Sequence, residues 1–141
     1  MIACIFCSIV AGTAPSERVA ESERALAVMD INPAADGHTL VITKAHAMDI
    51  WDLTPSDGSA VWDLAMKVSE AIRDGLNPDG LTLFQANRRA GWQDVFHFHL
   101  HLVPRWEGDA LVKPWMSENS RRNGIAAAAA TIRSNMGIAN D

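Results

Sequence analysis

Three histidines at alternate positions constrain the fold of this chain more than any other feature. His97, His99 and His101 are separated by single apolar residues within the segment Val95–Val103. Because side chains of a β-strand alternate between its two faces, this spacing predicts one strand with all three imidazoles on the same face. Pro104 is predicted to end the strand, since proline lacks the N–H that a sheet ladder needs. Four apolar residues are then expected to point into the core from the opposite face: Phe96, Phe98, Leu100 and Leu102.

The number of histidines in register argues against an ordinary structural role. A single strand histidine is usually a surface residue or a hydrogen-bonded core residue. Three adjacent imidazoles repel one another when charged, so metal ligands or catalytic groups are the favoured interpretation. His38 and His46 flank the apolar run Leu40–Thr43, which is typical of a buried strand. All five histidines converge if that run lies beside the histidine strand.

A long helix is predicted to begin at Thr54 and to end near Gly75. Threonine is a good N-cap, Pro55 suits the first helical position, and glycine commonly follows the last helical turn. Apolar residues recur at helical spacing and form one stripe. The members of this stripe are Val61, Leu64, Ala65, Val68 and Ile72.

The remaining strand, turn and helix signals complete an α+β pattern with an antiparallel sheet. A hairpin, one further strand and a terminal helix are predicted from alternation and turn residues. Their predicted positions are Val19–Ala20 and Ala25–Asp30 for the hairpin, Leu81–Ala86 for the strand and Ile125–Arg133 for the helix.

Composition excludes several classes of protein. The longest apolar run, Ile125–Ala130, is far shorter than the roughly 20 residues of a membrane span. The N-terminus lacks the basic residues of a signal peptide, so a cytoplasmic location without a membrane partner is expected. A net charge of −5 argues against a nucleic-acid binder, although a small anionic ligand remains compatible with it.

The two cysteines, Cys4 and Cys7, have the C-x-x-C spacing. A disulfide needs an oxidising compartment, and a thioredoxin-like pair normally follows a strand. Half of a zinc site is the third interpretation. With His46 and one histidine of the strand, the cysteines would form a closed tetrahedral Cys₂His₂ site that ties the N-terminal segment to the sheet.

Several segments in order resemble the histidine triad (HIT) family. They are CIFCSIVAGTAPS, MDINPAADGHTLVITKAH and AGWQDVFHFHLHLVPR. The resemblance implies a single HIT domain over residues 1–141, with a core over about 4–106 and a C-terminal extension over 107–141. It also implies a five-stranded antiparallel sheet with one long helix and a C-terminal helix, usually paired as a homodimer.

The same resemblance implies a purine-nucleotide substrate and a role for each histidine. His99 is expected to attack the α-phosphorus and form a covalent nucleotidyl-histidine, and His101 to serve the leaving group. His97 is expected to complete a structural zinc site with Cys4, Cys7 and His46, while its carbonyl holds the ring of His99. His38 is expected to support the triad by hydrogen bonding, or else to cap the neighbouring strand.

Further nucleotide contacts are implied at the two ends of the pocket. Asp30 is expected to accept hydrogen bonds from the ribose hydroxyls, with Ile31 packed on the base; the alternative is that Asp30 only builds a turn. Asn87 and Gln93 are expected near the phosphate. The sequence departs from the family pattern where Asp94 replaces the usual Ser or Thr and Trp92 replaces a common Gly, and a carboxylate there would repel a phosphate.

Three functions remain open on the sequence. The first is a hydrolase or transferase that cleaves a nucleoside monophosphate from an amine, polyphosphate, acyl or sulfate leaving group. The second is a nucleotide-binding sensor or scaffold with little activity. The third is a catalytic metalloprotein in which the histidine trio itself holds the metal. Trp106, Trp115 and Met116 are expected to cover either the pocket, a dimer partner or their own subunit.

Overall fold

The computed structural model describes residues 3–112 and 118–138. Its five strands form one antiparallel sheet in the order β1-β2-β3-β5-β4, which confirms the predicted α+β architecture. The strands are β1 (Arg18–Glu21), β2 (Ala25–Met29), β3 (Thr39–Thr43), β4 (Gly80–Phe84) and β5 (His99–Arg105). The helices are α1 (Ile5–Ala11), α2 (Pro55–Leu76) and α3 (Ile125–Asn135).

Helix α2 covers one face of the sheet and begins where the sequence predicts. The Thr54 hydroxyl accepts the Asp57 N–H at 3.2 Å, and Pro55 occupies the first turn. All five residues of the predicted stripe are buried against apolar residues of β2, β3 and β5. The helix passes Gly75 and ends at Leu76, because Asn77 adopts the left-handed conformation (φ 52°) that closes it.

Helix α1 was not predicted, and it covers the other face of the sheet. Cys4 is its N-cap, and its buried residues Phe6 and Ile9 pack against Leu26, Val28, Leu40 and Ile42. The three histidines lie on this face and are therefore buried, with 0%, 3% and 9% of the surface of His97, His99 and His101 exposed. Both faces of the central strands are consequently covered by a helix.

The bounds of the histidine strand differ from the prediction at both ends. Strand β5 starts at His99 rather than Val95, and Phe96 is 46% exposed rather than buried. Pro104 does not end the strand, since it pairs with Leu81 of β4. On its other side the pairing of β3 with β5 stops at Thr39–Leu102, so at Pro104 strand β5 has a neighbour on one side only, a setting in which a strand tolerates proline.

Two compact units make up the chain, Met1–Asp109 and Ala110–Asp141. The sheet, α1 and α2 belong to the first. In the second, a 3-10 helix (Asn119–Gly124) leads into α3, at the position predicted for the terminal helix. Trp115 and Met116 lie outside the described residues. Among the described helices, none combines the length and apolar character that a bilayer crossing requires.

Candidate active site and metal centre

His97 is oriented by the end of β3. Its Nε2 lies 2.7 Å from the carbonyl oxygen of Thr43, one residue beyond the Ile42–His99 pair of β3 and β5. A carbonyl only accepts, so Nε2 carries the proton and Nδ1 keeps its lone pair. That lone pair faces the side chains of Cys4, Cys7 and His46. The imidazole of His97 is thereby prepared as a metal ligand.

His99 has the opposite tautomer. Its Nδ1 lies 2.7 Å from the carbonyl oxygen of His97, so Nδ1 donates and Nε2 is left with a free lone pair. The ring also packs perpendicular to that of Phe6, with centroids 5.0 Å apart. His99 lines a pocket between α1 and the sheet, and its Nε2 lies 3.6 Å from Oδ1 of Asp94, which lines the same pocket. An oriented imidazole with a lone pair at a pocket is a suitable nucleophile.

His101 is set by a chain of hydrogen bonds that starts at the backbone. The N–H of Ala34 donates to Nδ1 of His38 at 3.0 Å, so the proton of His38 resides on Nε2. His38 Nε2 in turn donates to Nδ1 of His101 at 2.9 Å. The remaining nitrogen of His101, Nε2, therefore carries an N–H, and its ring is stacked on Phe84 at 3.9 Å. His101 is a hydrogen-bond donor at the pocket.

Burial favours the neutral form of His38, His97 and His101. It lowers the pKa of His101 to about 3, with smaller contributions from His99 and His38. Burial also lowers the pKa of His38 against the opposing effect of Asp30, and that of His97 against the hydrogen bond to Thr43. Neutral rings are the forms that the hydrogen-bond network requires.

The side chains of Cys4, Cys7, His46 and His97 form a cluster whose four possible ligand atoms all lie within 4.8 Å of one another. Sγ of Cys4 and Sγ of Cys7 lie 3.3 and 3.6 Å from Nδ1 of His97, and Nδ1 of His46 lies 3.1 Å from the same nitrogen. A zinc ion with bonds of about 2.3 Å to sulfur and 2.0 Å to nitrogen separates its ligand atoms by about 3.3–3.7 Å. Burial and the adjacent Cys4 raise the pKa of the Cys7 thiol, and zinc binding requires this sulfur as a thiolate. The donor set fits zinc.

A second group of possible ligands, Asp30, His38 and His101, fits a metal less well. Nε2 of His38 is a donor in the chain described above, so it has no lone pair for a metal. The carboxylate of Asp30 lies 3.4 Å from that nitrogen. The hypothesis of a catalytic metal held by the trio gains no support, because His97 alone of the three faces the cysteines.

The pocket beside His99 has a volume of about 170 Å³ and is open to solvent. It is lined by residues of α1 and of the 28–32 segment, and by Asp30, Ile31, Asp94, His99 and His101. Asp30 also accepts the N–H of Asn32 at 2.8 Å, so it builds the predicted turn as well as facing the pocket. A larger concavity of about 510 Å³ lies between α2 and the β1–β2 hairpin, but no histidine or cysteine lines it.

Asn87 and Gln93 are engaged in holding their loops. Gln93 Oε1 accepts the Arg88 N–H, and Nε2 donates to the Met48 carbonyl, each at 2.6 Å. Asn87 Oδ1 accepts the Ile50 N–H at 2.7 Å. Neither side chain lines the pocket. Their contact with a nucleotide stays a prediction.

Two functional positions were missed from the sequence. Phe6 packs on His97 and His99. It is the apolar residue inside the C-x-x-C segment, and this motif indicates a role for the cysteines only. The Thr43 carbonyl sets the tautomer of His97, but a backbone contact of this kind leaves no trace in residue identity.

Comparisons with known proteins agree with this geometry. The model of the HIT domain matches residues 11–108. Protein hit of Bacillus subtilis is 40% identical over 113 residues, covering 79% of this chain and 78% of its own. Adenylylsulfatase HINT3 of Arabidopsis thaliana is 34% identical over 122 residues, covering 86% of this chain and 60% of its own.

Solved structures give the same result. A HIT family protein from Bacillus anthracis has a TM-score of 0.86 at 39% identity and covers 94% of this chain and 96% of its own. A Zn-bound histidine triad family protein from Mycobacterium smegmatis has a TM-score of 0.74 at 36% identity and covers 95% of this chain and 96% of its own. The chain therefore belongs to the HIT family, and its Cys₂His₂ cluster together with this zinc-bound relative supports a place in the zinc-binding branch.

Proposed function

We propose that this protein is a nucleotidyl hydrolase or transferase that uses His99 as its nucleophile. The substrate is a purine nucleoside monophosphate joined to a leaving group. The observation that carries the proposal is the 2.7 Å contact of His99 Nδ1 with the His97 carbonyl, which leaves the Nε2 lone pair at the pocket. Membership of the HIT family and the similarity to an adenylylsulfatase support nucleotide chemistry.

The reaction proceeds by two displacements. Nε2 of His99 attacks the α-phosphorus, the bond to the leaving atom breaks, and that atom takes the electron pair and a proton from solvent. His101 Nε2 donates a hydrogen bond to the leaving atom, and burial lowers the pKa of its ring to about 3, which favours the neutral form. Water then attacks the phosphorus of the nucleotidyl-histidine, the P–N bond breaks with its electron pair returning to Nε2, and the proton of the water passes to solvent, which releases the nucleoside monophosphate and the free imidazole. Two displacements with a good nucleophile replace one difficult attack by water.

The remaining contacts are assigned by position. Asp30 faces the pocket and receives the ribose hydroxyls, and the 86% exposed Ile31 covers the base. Gln93 and Asn87 hold the loops on the phosphate side. When bound, zinc would be structural: Cys4, Cys7, His46 and His97 would hold it, and through His97 it would steady the carbonyl that orients His99.

A homodimer is part of the proposal. Strand β4 lies at an edge of the sheet, and Phe84 on it is 44% exposed. An unpaired edge with apolar side chains is a surface that a second copy can cover. Sedimentation equilibrium at micromolar concentration is expected to give twice the mass of one chain, and a single-chain mass would remove the dimer from the proposal.

Adenosine 5′-phosphoramidate tests the function directly. The protein is expected to release AMP, and a rapid acid quench is expected to trap an adenylyl group on His99 that mass spectrometry can locate. The His99→Ala variant should bind AMP in calorimetry but release none from the substrate. Turnover by this variant at the wild-type rate would refute the covalent route, and AMP binding without turnover by the wild type would favour the sensor function.

A further inference from the structure

Asp94 stands at the rim of the pocket, next to the proposed nucleophile. Its Oδ1 accepts the N–H of Val95 at 2.8 Å, which fixes the carboxylate, and the same oxygen lies 3.6 Å from Nε2 of His99. The Asp94 side chain is 79% exposed whereas that of His99 is 4% exposed. The carboxylate therefore lies on the solvent side of the nucleophile.

The pocket contains no compensating positive charge among its described lining residues. None of these residues is lysine or arginine, and both of its acidic residues, Asp30 and Asp94, lie close to the histidines. Burial keeps His101 neutral. Outside the lining, Arg18 donates to the carbonyl oxygen of Ile9 at 2.6 Å, and Arg88 is paired with the carboxylate of Asp49 at 3.1 Å. A substrate that carries several negative charges would meet a pocket of the same sign.

Building on the proposed function, we propose that Asp94 sorts substrates by the charge of the leaving group. It favours amine leaving groups that carry an ammonium and disfavours leaving groups that carry a carboxylate or further phosphates. The reacting phosphorus must come within about 3.5 Å of His99 Nε2, so Asp94 lies within about 7 Å of it. Oδ1 has one hydrogen-bond donor, Val95, and the exposed carboxylate is accessible to an N–H or ammonium of the departing group.

The expected size of the effect follows from Coulomb's law. A unit charge on the leaving group, about 6 Å from the Asp94 carboxylate, interacts with it at a partly exposed site with an effective dielectric constant of about 40. This interaction changes the rate by about tenfold. Each unit of leaving-group charge should therefore change kcat/KM by about tenfold. The preference for a cationic over an anionic leaving group should be about 100-fold, and it should shrink as salt is added.

Three adenosine 5′-phosphoramidates of matched length test the proposal. Their amines end in an ammonium, a methyl group or a carboxylate, so the scissile P–N bond is the same. In the wild type, kcat/KM is expected to fall in that order. Asp94→Asn and Asp94→Ser should each reduce the ratio between the first and the last by tenfold or more. Asp63→Asn, which removes an exposed carboxylate that lines the larger concavity on α2, should leave the ratio unchanged.

The outcomes separate the two proposals. If the wild type cleaves all three substrates through adenylyl-His99 and the Asp94 variants keep its ratios, the charge sorting is refuted while the proposed function stands. If no substrate is cleaved and no adduct forms, the proposed function fails and the charge sorting fails with it. Salt gives a second test, because the Debye length shortens about fivefold between about 20 and about 500 mM salt. A preference set only by shape is not screened, so a ratio of kcat/KM values that stays constant over this range would overturn the electrostatic origin.

Discussion

Replacing His101 by glutamine should make the protein less sensitive to acid. Burial lowers the pKa of His101 in the folded protein to about 3, whereas an unfolded histidine titrates near 6.5. Between these values the unfolded chain binds a proton that the folded chain does not. The stability is therefore complete above pH 6.5 and is lost as the pH falls towards 3.

The magnitude follows from the size of the pKa shift. One proton taken up only on unfolding lowers the free energy of unfolding by about 1.4 kcal/mol for each pH unit. Between about pH 6.5 and about pH 4.5 the contribution of His101 is about 2–3 kcal/mol. The side chain is only 11% exposed, so solvent screens this effect little. Glutamine does not titrate and keeps an amide that can meet His38.

Urea unfolding at half-unit steps from about pH 4.5 to about pH 7.5 measures the difference. The free energy of unfolding of the wild type should fall more steeply below about pH 6.5 than that of His101→Gln, by about 1 kcal/mol per pH unit. All other side chains are the same in the two proteins, so the comparison isolates the effect of residue 101. Parallel pH profiles would refute the claim that His101 is buried as a neutral ring.

Three further predictions concern the elements around the site. Phe6→Ala should lower the free energy of unfolding by about 3 kcal/mol and reduce kcat, because Phe6 is 6% exposed and packs on His97 and His99; unchanged urea unfolding would contradict this. Cys7→Ser should lose the zinc that metal analysis is expected to find in the wild type, and full zinc content would remove Cys7 from the ligand set. Gly37→Ala should cost about 1–2 kcal/mol in thermal unfolding, because φ is +85° and the new Cβ would collide with the side chain of Leu76; the control Gly75→Ala, inside α2 with open space around it, should instead stabilise by about 0.5–1 kcal/mol.

Local signals predicted the elements whose chemistry is complete within one segment. The cap at Thr54 and the stripe of α2 are of this kind, and both are confirmed. Helix α1 was not predicted, because a segment of seven residues, Ile5–Ala11, is too short to show helical periodicity. It becomes stable by packing Phe6 and Ile9 against the sheet, which is a tertiary effect.

The predicted start of the histidine strand at Val95 was wrong for a similar reason. Alternation over 95–103 is perfect, but alternation does not show which groups take the backbone hydrogen bonds. In the structure, the ring of His97 donates to the carbonyl of Thr43, and the N–H of Phe98 donates to the carbonyl of Ala47, outside β3. A side chain that replaces a strand partner ends the ladder where the residue pattern continues.

The three histidines show how far residue identity can go towards chemistry. The spacing places them on one face, yet a ligand, a nucleophile and a hydrogen-bond donor need different nitrogens to be free. The difference comes from the partner that each ring meets: the Thr43 carbonyl at His97 Nε2, the His97 carbonyl at His99 Nδ1, and the chain from Ala34 through His38 to His101 Nδ1. Since each of these begins or ends on the backbone, substitutions that preserve all five histidines but shift β3 relative to β5 should still exchange the roles or abolish them.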